Sequence, residues 1–104
     1  TSDTTVLVSA ASIWEIATKH RLGRLPLPPE FAADLVAAVR AEGFELLAID
    51  AVHAQVAGRL VGGIQDPFDR MLVAQALGER IPLVSNERVF DAYGVTRVWG
   101  GRRA

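Results

Sequence analysis

The chain has 104 residues, half of them hydrophobic and 22% charged, with a formal net charge of −1. That is the size and balance of one globular domain with a small core. The charge offers no global basic field for nucleic acid, so any polyanion must meet a local patch or a bound cation. With no cysteine, disulfides, zinc–thiolate sites and thiol catalysis are excluded, and a reducing cytoplasm is compatible. No charged-then-apolar leader opens the chain, and no apolar run is long enough for a bilayer.

Thr5-Val6-Leu7-Val8-Ser9 is β-branched and apolar and reads as a buried strand. A helix to about Leu22 follows. Ser12 and Glu15 have capping-box spacing, and Lys19, His20 and Arg21 suit the negative end of the helix dipole. Gly23 is a natural stop. On this reading Trp14 belongs to the core, and His20 serves the helix end. Glu15 has two readings, as a capping acid or as a carboxylate in a site beyond the strand end.

Arg24-Leu25-Pro26-Leu27-Pro28-Pro29 is an extended connector. A second helix is expected from Pro29 or Glu30 to about Glu42, with Phe31, Leu35, Val36 and Val39 on one face. Phe44 to Ile49 is a second strand. Asp50 caps a helix from Ala51 to about Leu60, in which His53 packs or meets water rather than reacting. Gly62-Gly63-Ile64-Gln65 forms a loop.

Asp66-Pro67-Phe68-Asp69-Arg70-Met71-Leu72-Val73-Ala74-Gln75-Ala76 is the stretch around which the chain is organised. Pro67 suits a first helical position, which makes Asp66 the N-cap and Asp69 the third helical residue. Both carboxylates then project from the positive end of one helix, where ionised acids are favoured and a hard divalent cation could be held. Capping alone explains Asp66; it explains Asp69 less well, because a second acid there is not required. Ile81 to Ser85 is a third strand, Asn86 to Phe90 a short turn or helix, and Val95 to Trp99 a fourth strand with Trp99 packing at its end. Gly100 to Ala104 reads as a loose tail.

Strands separated by helices argue for an α/β fold with a mainly parallel sheet and helices on both faces. Sites in such sheets lie beyond the carboxyl ends of the strands. Glu15, Asp66, Asp69 and Glu87 are therefore expected on one rim.

The segments Val8-Ser9-Ala10-Ala11-Ser12-Ile13-Trp14-Glu15-Ile16, Leu22-Gly23-Arg24-Leu25-Pro26-Leu27-Pro28, Asp66-Pro67-Phe68-Asp69-Arg70-Met71-Leu72-Val73-Ala74-Gln75-Ala76 and Leu83-Val84-Ser85-Asn86-Glu87-Arg88-Val89-Phe90, in that order, resemble a PIN domain of the VapC-type toxin ribonucleases. The resemblance implies a three-layer α/β/α domain over residues 1–99 and a tail over 100–104. It also implies a cytoplasmic, Mg²⁺- or Mn²⁺-dependent endoribonuclease that pairs with a VapB-like antitoxin and forms a homodimer. On the family pattern Asp69 is the central metal ligand and Asp66 an accessory acid. Glu15 is the acid after the second family strand. Glu87 stands, one methylene longer, where the family often has aspartate. Arg70, Lys19, Arg21 and Arg24 are the candidate contacts to the RNA backbone.

Two departures accompany the match. The family opens with a strand ending in a metal-binding aspartate, whereas this chain starts at the next strand. Asp3 precedes the wrong strand to take that role, so the domain is expected to be N-terminally truncated. Val61-Gly62-Gly63-Ile64 also lacks the Pro/His-rich character of related toxins. The alternative function is accordingly a catalytically incomplete PIN scaffold that binds an antitoxin or itself.

Overall fold

The computed structural model describes residues 4–85, 87–99 and 102–103, with Trp99, Arg102 and Arg103 described by their backbone only. Asp3, Asn86, Gly100, Gly101, Ala104 and the packing expected of the Trp99 side chain lie outside the described residues. The chain divides into two compact units, Thr1–Ala48 and Ile49–Ala104.

In the first unit, β1 (Leu7–Ser9) leads directly into α1 (Ala10–Arg21). Ser9, not Ser12, is the N-cap: its Oγ accepts from Ala11 N at 2.9 Å. The helix therefore starts before the expected capping box, and Ser12 and Glu15 both lie inside it. At the other end His20 Nδ1 donates to the Leu25 carbonyl at 2.9 Å and ties down the connector. The single helix expected over 29–42 is two, α2 (Pro29–Ala33) and α3 (Leu35–Ala41). Asp34 separates them in extended conformation (φ −154°) and caps α3 through its carboxylate to Ala37 N at 3.0 Å. A short acid that can accept from the amide three residues on favours such a restart over helix continuation. β2 (Glu45–Leu47) pairs parallel with β1, Val8 opposite Leu46. Ala11, Ala38 and Val39 are buried, but Trp14 is 64% exposed, which corrects its expected place in the core.

In the second unit, α4 (Ala51–Arg59) and α5 (Pro67–Glu79) pack on one another. Gly78 lies inside α5, where an added Cβ would sit 3.6 Å from the His53 ring. The helix stops at Arg80, in the left-handed region at φ 56°. β3 (Leu83–Val84) pairs parallel with β4 (Arg97–Trp99), and a 3-10 helix (Arg88–Tyr93) joins them. Arg102–Arg103 forms β5, antiparallel to β4, so this part of the expected loose tail is a strand. Ile64, Val73 and Phe90 form the buried core of the unit, with Leu60, Leu83, Tyr93 and Val95 packed on it. The expected α/β class with mainly parallel pairing holds: among the described residues, two of the three strand pairs are parallel. No described helix is long and apolar enough to cross a membrane.

Candidate active site

The Asp66–Asp69 turn is built as its chemistry requires. Asp66 is the N-cap of α5, and its Oδ1 accepts from Phe68 N at 2.8 Å and Asp69 N at 3.3 Å. Pro67 occupies the first helical position, where its missing amide costs nothing. Asp69 follows in the first turn, half-buried, while Asp66 is exposed. Two carboxylates thus share one helix N-terminus, and Asp66 makes these capping bonds through Oδ1 alone. Carboxylate oxygens are the donor set preferred by hard divalent cations such as Mg²⁺ and Mn²⁺. The residues fit the group that the sequence pattern implies.

The remaining expected site residues are distributed as follows. Glu15 lies within α1 in the first unit, with its carboxylate 2.9 Å from Lys19 Nζ, one helical turn on. Glu15 thus sits past the first turn of α1 rather than at its start, and Lys19 meets an acid of its own helix. Arg21 and Arg24 are exposed. Glu87, in the second unit, is exposed at the start of the 3-10 helix, and its backbone amide donates to Ser85 Oγ at 3.0 Å.

Arg70 is tied to the backbone of its own chain. Its guanidinium donates from Nε to the Ala57 carbonyl (3.1 Å), from Nη2 to Leu60 (2.6 Å) and from Nη1 to Ile64 (3.0 Å). Every guanidinium nitrogen is engaged by backbone at the end of α4 and in the connector to α5. These bonds use three of its five N–H groups.

Among the described residues, one trio of His, Asp and Glu side chains brings ligand atoms within 4.8 Å of one another: Asp50, His53 and Glu79. None of the four expected acids belongs to it. Asp50 Oδ1 accepts from His53 N at 2.8 Å, and His53 Nδ1 accepts from Asp50 N at 3.1 Å, a reciprocal capping box. A backbone amide can only donate, so Nδ1 must accept, and Nε2 carries the ring hydrogen. Nε2 donates to Glu79 Oε2 at 2.8 Å. Both ring nitrogens are thus spent in opposite directions on the ring, which is 3% exposed. The trio fits hydrogen bonding between α4 and α5, not chelation.

A buried charge also escaped the sequence reading. Arg97 is 4% exposed and holds Asp91 with two nitrogens, Nε to Oδ1 at 2.9 Å and Nη2 to Oδ2 at 3.2 Å, while Nη1 donates to the Ser85 carbonyl at 3.1 Å. Hydrogen bonding from Arg97 holds the Asp91 carboxyl below its ordinary value against some desolvation, with the Arg97 and Arg88 charges adding to the effect. Its sequence signal was only a charged residue within a strand.

Comparison with known proteins agrees with the pattern of residues. Over 58 residues, 56% of its length, the chain is 43% identical to Ribonuclease VapC16 of Mycobacterium tuberculosis (strain ATCC 25618 / H37Rv). The match spans 40% of that relative's own length. Residues 1–95 match the PIN domain model, a span that includes α1 with Glu15, the Asp66–Asp69 turn and Glu87, and the chain belongs to the PIN domain family.

Proposed function

We propose that this chain is the catalytic part of a divalent-metal-dependent endoribonuclease of the VapC toxin type. The observation that carries the reading is the Asp66–Asp69 pair at the N-terminus of α5, in a PIN domain with a ribonuclease relative. Asp69 is assigned as principal ligand of Mg²⁺ or Mn²⁺, with Asp66 contributing an oxygen not used in capping. Bound there, the cation would supply a lowered pKa to a water and charge neutralisation to the scissile phosphate. Glu15 is assigned as a ligand or as the base that orients the attacking water, and Glu87 as a supporting acid. These two assignments follow the family pattern rather than a measured distance. Lys19, Arg21 and Arg24 are proposed to contact phosphates of the RNA, which orients the strand without reading its sequence. A VapB-like antitoxin, a homodimer and cytoplasmic action complete the reading.

The test is cleavage of a structured RNA pool with Mn²⁺ or Mg²⁺, with EDTA, and with Asp69→Asn. The expected result is metal-dependent cleavage, silenced by EDTA and reduced about 100-fold or more in the variant. Cleavage that Asp69→Asn leaves unchanged would sink the assignment. A folded chain without cleavage would favour the scaffold reading.

A further inference from the structure

We propose that Arg70 is a positioning residue for the Asp66–Asp69 carboxylate pair, acting by locking the connector between α4 and α5; the functional half of this inference rests on the ribonuclease reading above. The carbonyls at a helix C-terminus lack intrahelical donors. Arg70 satisfies two at the end of α4, those of Ala57 and Leu60, and reaches on to Ile64. A planar guanidinium with a fixed fork of donors fixes the relative positions of the groups it joins, which a single ammonium cannot do. Three carbonyls between positions 57 and 64 are thereby gathered on one group.

The same residue holds the other end of the connector through its backbone, since Arg70 N donates to the Asp66 carbonyl at 3.0 Å. Ile64 is pinned a second time: its amide donates to the Tyr93 hydroxyl at 3.1 Å. Tyr93 can approach because Gly62 has no Cβ; one built there would lie 2.8 Å from Tyr93 Cζ. Ile64 is therefore held at both its carbonyl and its amide, and only Gln65 separates it from Asp66. The direction from which the chain enters α5, and with it the placement of the Asp66 carboxylate beside Asp69, is set by this clamp.

The experiment compares the wild-type chain with Arg70→Met, which keeps the aliphatic stem and removes the donors. Calorimetric Mn²⁺ binding is read beside amide hydrogen exchange. The expected Mn²⁺ affinity of Arg70→Met is lower by about tenfold, the scale seen when groups supporting metal ligands are removed. Exchange is expected to quicken at Phe68, Asp69 and Arg70, whose amides meet Asp66, and to change much less at Val73 to Ala76 later in the helix. Equal change across α5 would mean that Arg70 supports the fold generally, and it would overturn the proposal, as would unchanged Mn²⁺ affinity with unchanged exchange. Wild-type protein that binds no Mn²⁺ would defeat the ribonuclease reading instead, and the exchange pattern would still decide whether Arg70 positions the turn. If Arg70→Met does not fold, Arg70→Lys, which keeps a single ammonium in place of the planar fork, takes its place. It is expected to give the same pattern in weaker form, and a wild-type pattern would overturn the proposal.

Discussion

Arg97 and Asp91 show at single-residue scale how a charge is kept inside this protein. The guanidinium is buried, and its donors meet a carboxylate and a carbonyl. The depressed carboxyl of Asp91 fixes the sign of the pH dependence. The folded state binds the Asp91 proton less readily than the unfolded chain. Its contribution to stability is therefore complete above the ordinary aspartate value of about 3.9 and is lost as pH falls through the lower folded value. Urea unfolding between pH 6 and pH 2.5 should show this loss, and Asp91→Asn should flatten that part of the profile; an unchanged profile would remove Asp91 from the account. Gly62 is the other residue whose identity is set by a neighbour. At φ 148° with the Tyr93 ring against it, Gly62→Ala should cost about 1–3 kcal/mol from backbone strain and overpacking. Since the hydroxyl is the nearest atom to the added methyl, Tyr93→Phe in the same chain should recover part of that loss in a double-mutant cycle.

At the scale of elements, the central issue is whether Asp66 is only a cap. Serine is nearly as good an N-cap as aspartate, but it brings no carboxylate. Asp66→Ser should hold the urea midpoint close to wild type, while Asp66→Ala should cost about 1 kcal/mol. If metal binding and cleavage survive Asp66→Ser, the acid serves only the helix. The elements also show what sequence could tell. Asp50 and Asp66 as caps and Pro67 as a helix start were legible, because each works through backbone atoms within a few residues. The break at Asp34 was not, because apolar spacing runs through it and neither glycine nor proline marks it. The cap at Ser9 was hidden by the rival Ser12–Glu15 spacing. Trp14 follows the helical apolar pattern, yet it is exposed, since periodicity identifies a face without saying what covers it. The role of Arg70 was least legible of all. Its partners are carbonyls, which have no letter in the sequence, and they come together only when α4 ends where it does.

At the scale of the whole molecule, two places among the described residues could answer to a divalent cation, and stability can separate them. One is the Asp66–Asp69 turn; the other is the Asp50–His53–Glu79 trio. Carboxylates sharing a helix end repel one another, and a cation that binds only the folded chain relieves this and stabilises it by mass action. At a free concentration of 100 times Kd the gain is about 2.7 kcal/mol. For a chain of this length that is a rise of roughly 10 °C or more in Tm. The wild-type chain should therefore melt higher in Mn²⁺ than in EDTA, and Asp69→Asn should lose most of the increment. His53→Gln probes the other site. It removes a buried ring from the α4–α5 packing, breaks the reciprocal cap and leaves Glu79 without its donor, so it should lower the melting point in both buffers. The increment between Mn²⁺ and EDTA should nevertheless survive, because both nitrogens of His53 are already spent on hydrogen bonds. A variant set with the opposite outcome, in which Asp69→Asn keeps the increment and His53→Gln abolishes it, would move the metal to the trio. It would also require the backbone amide of Asp50 to give up its acceptor, a local loss that exchange at that amide would register directly.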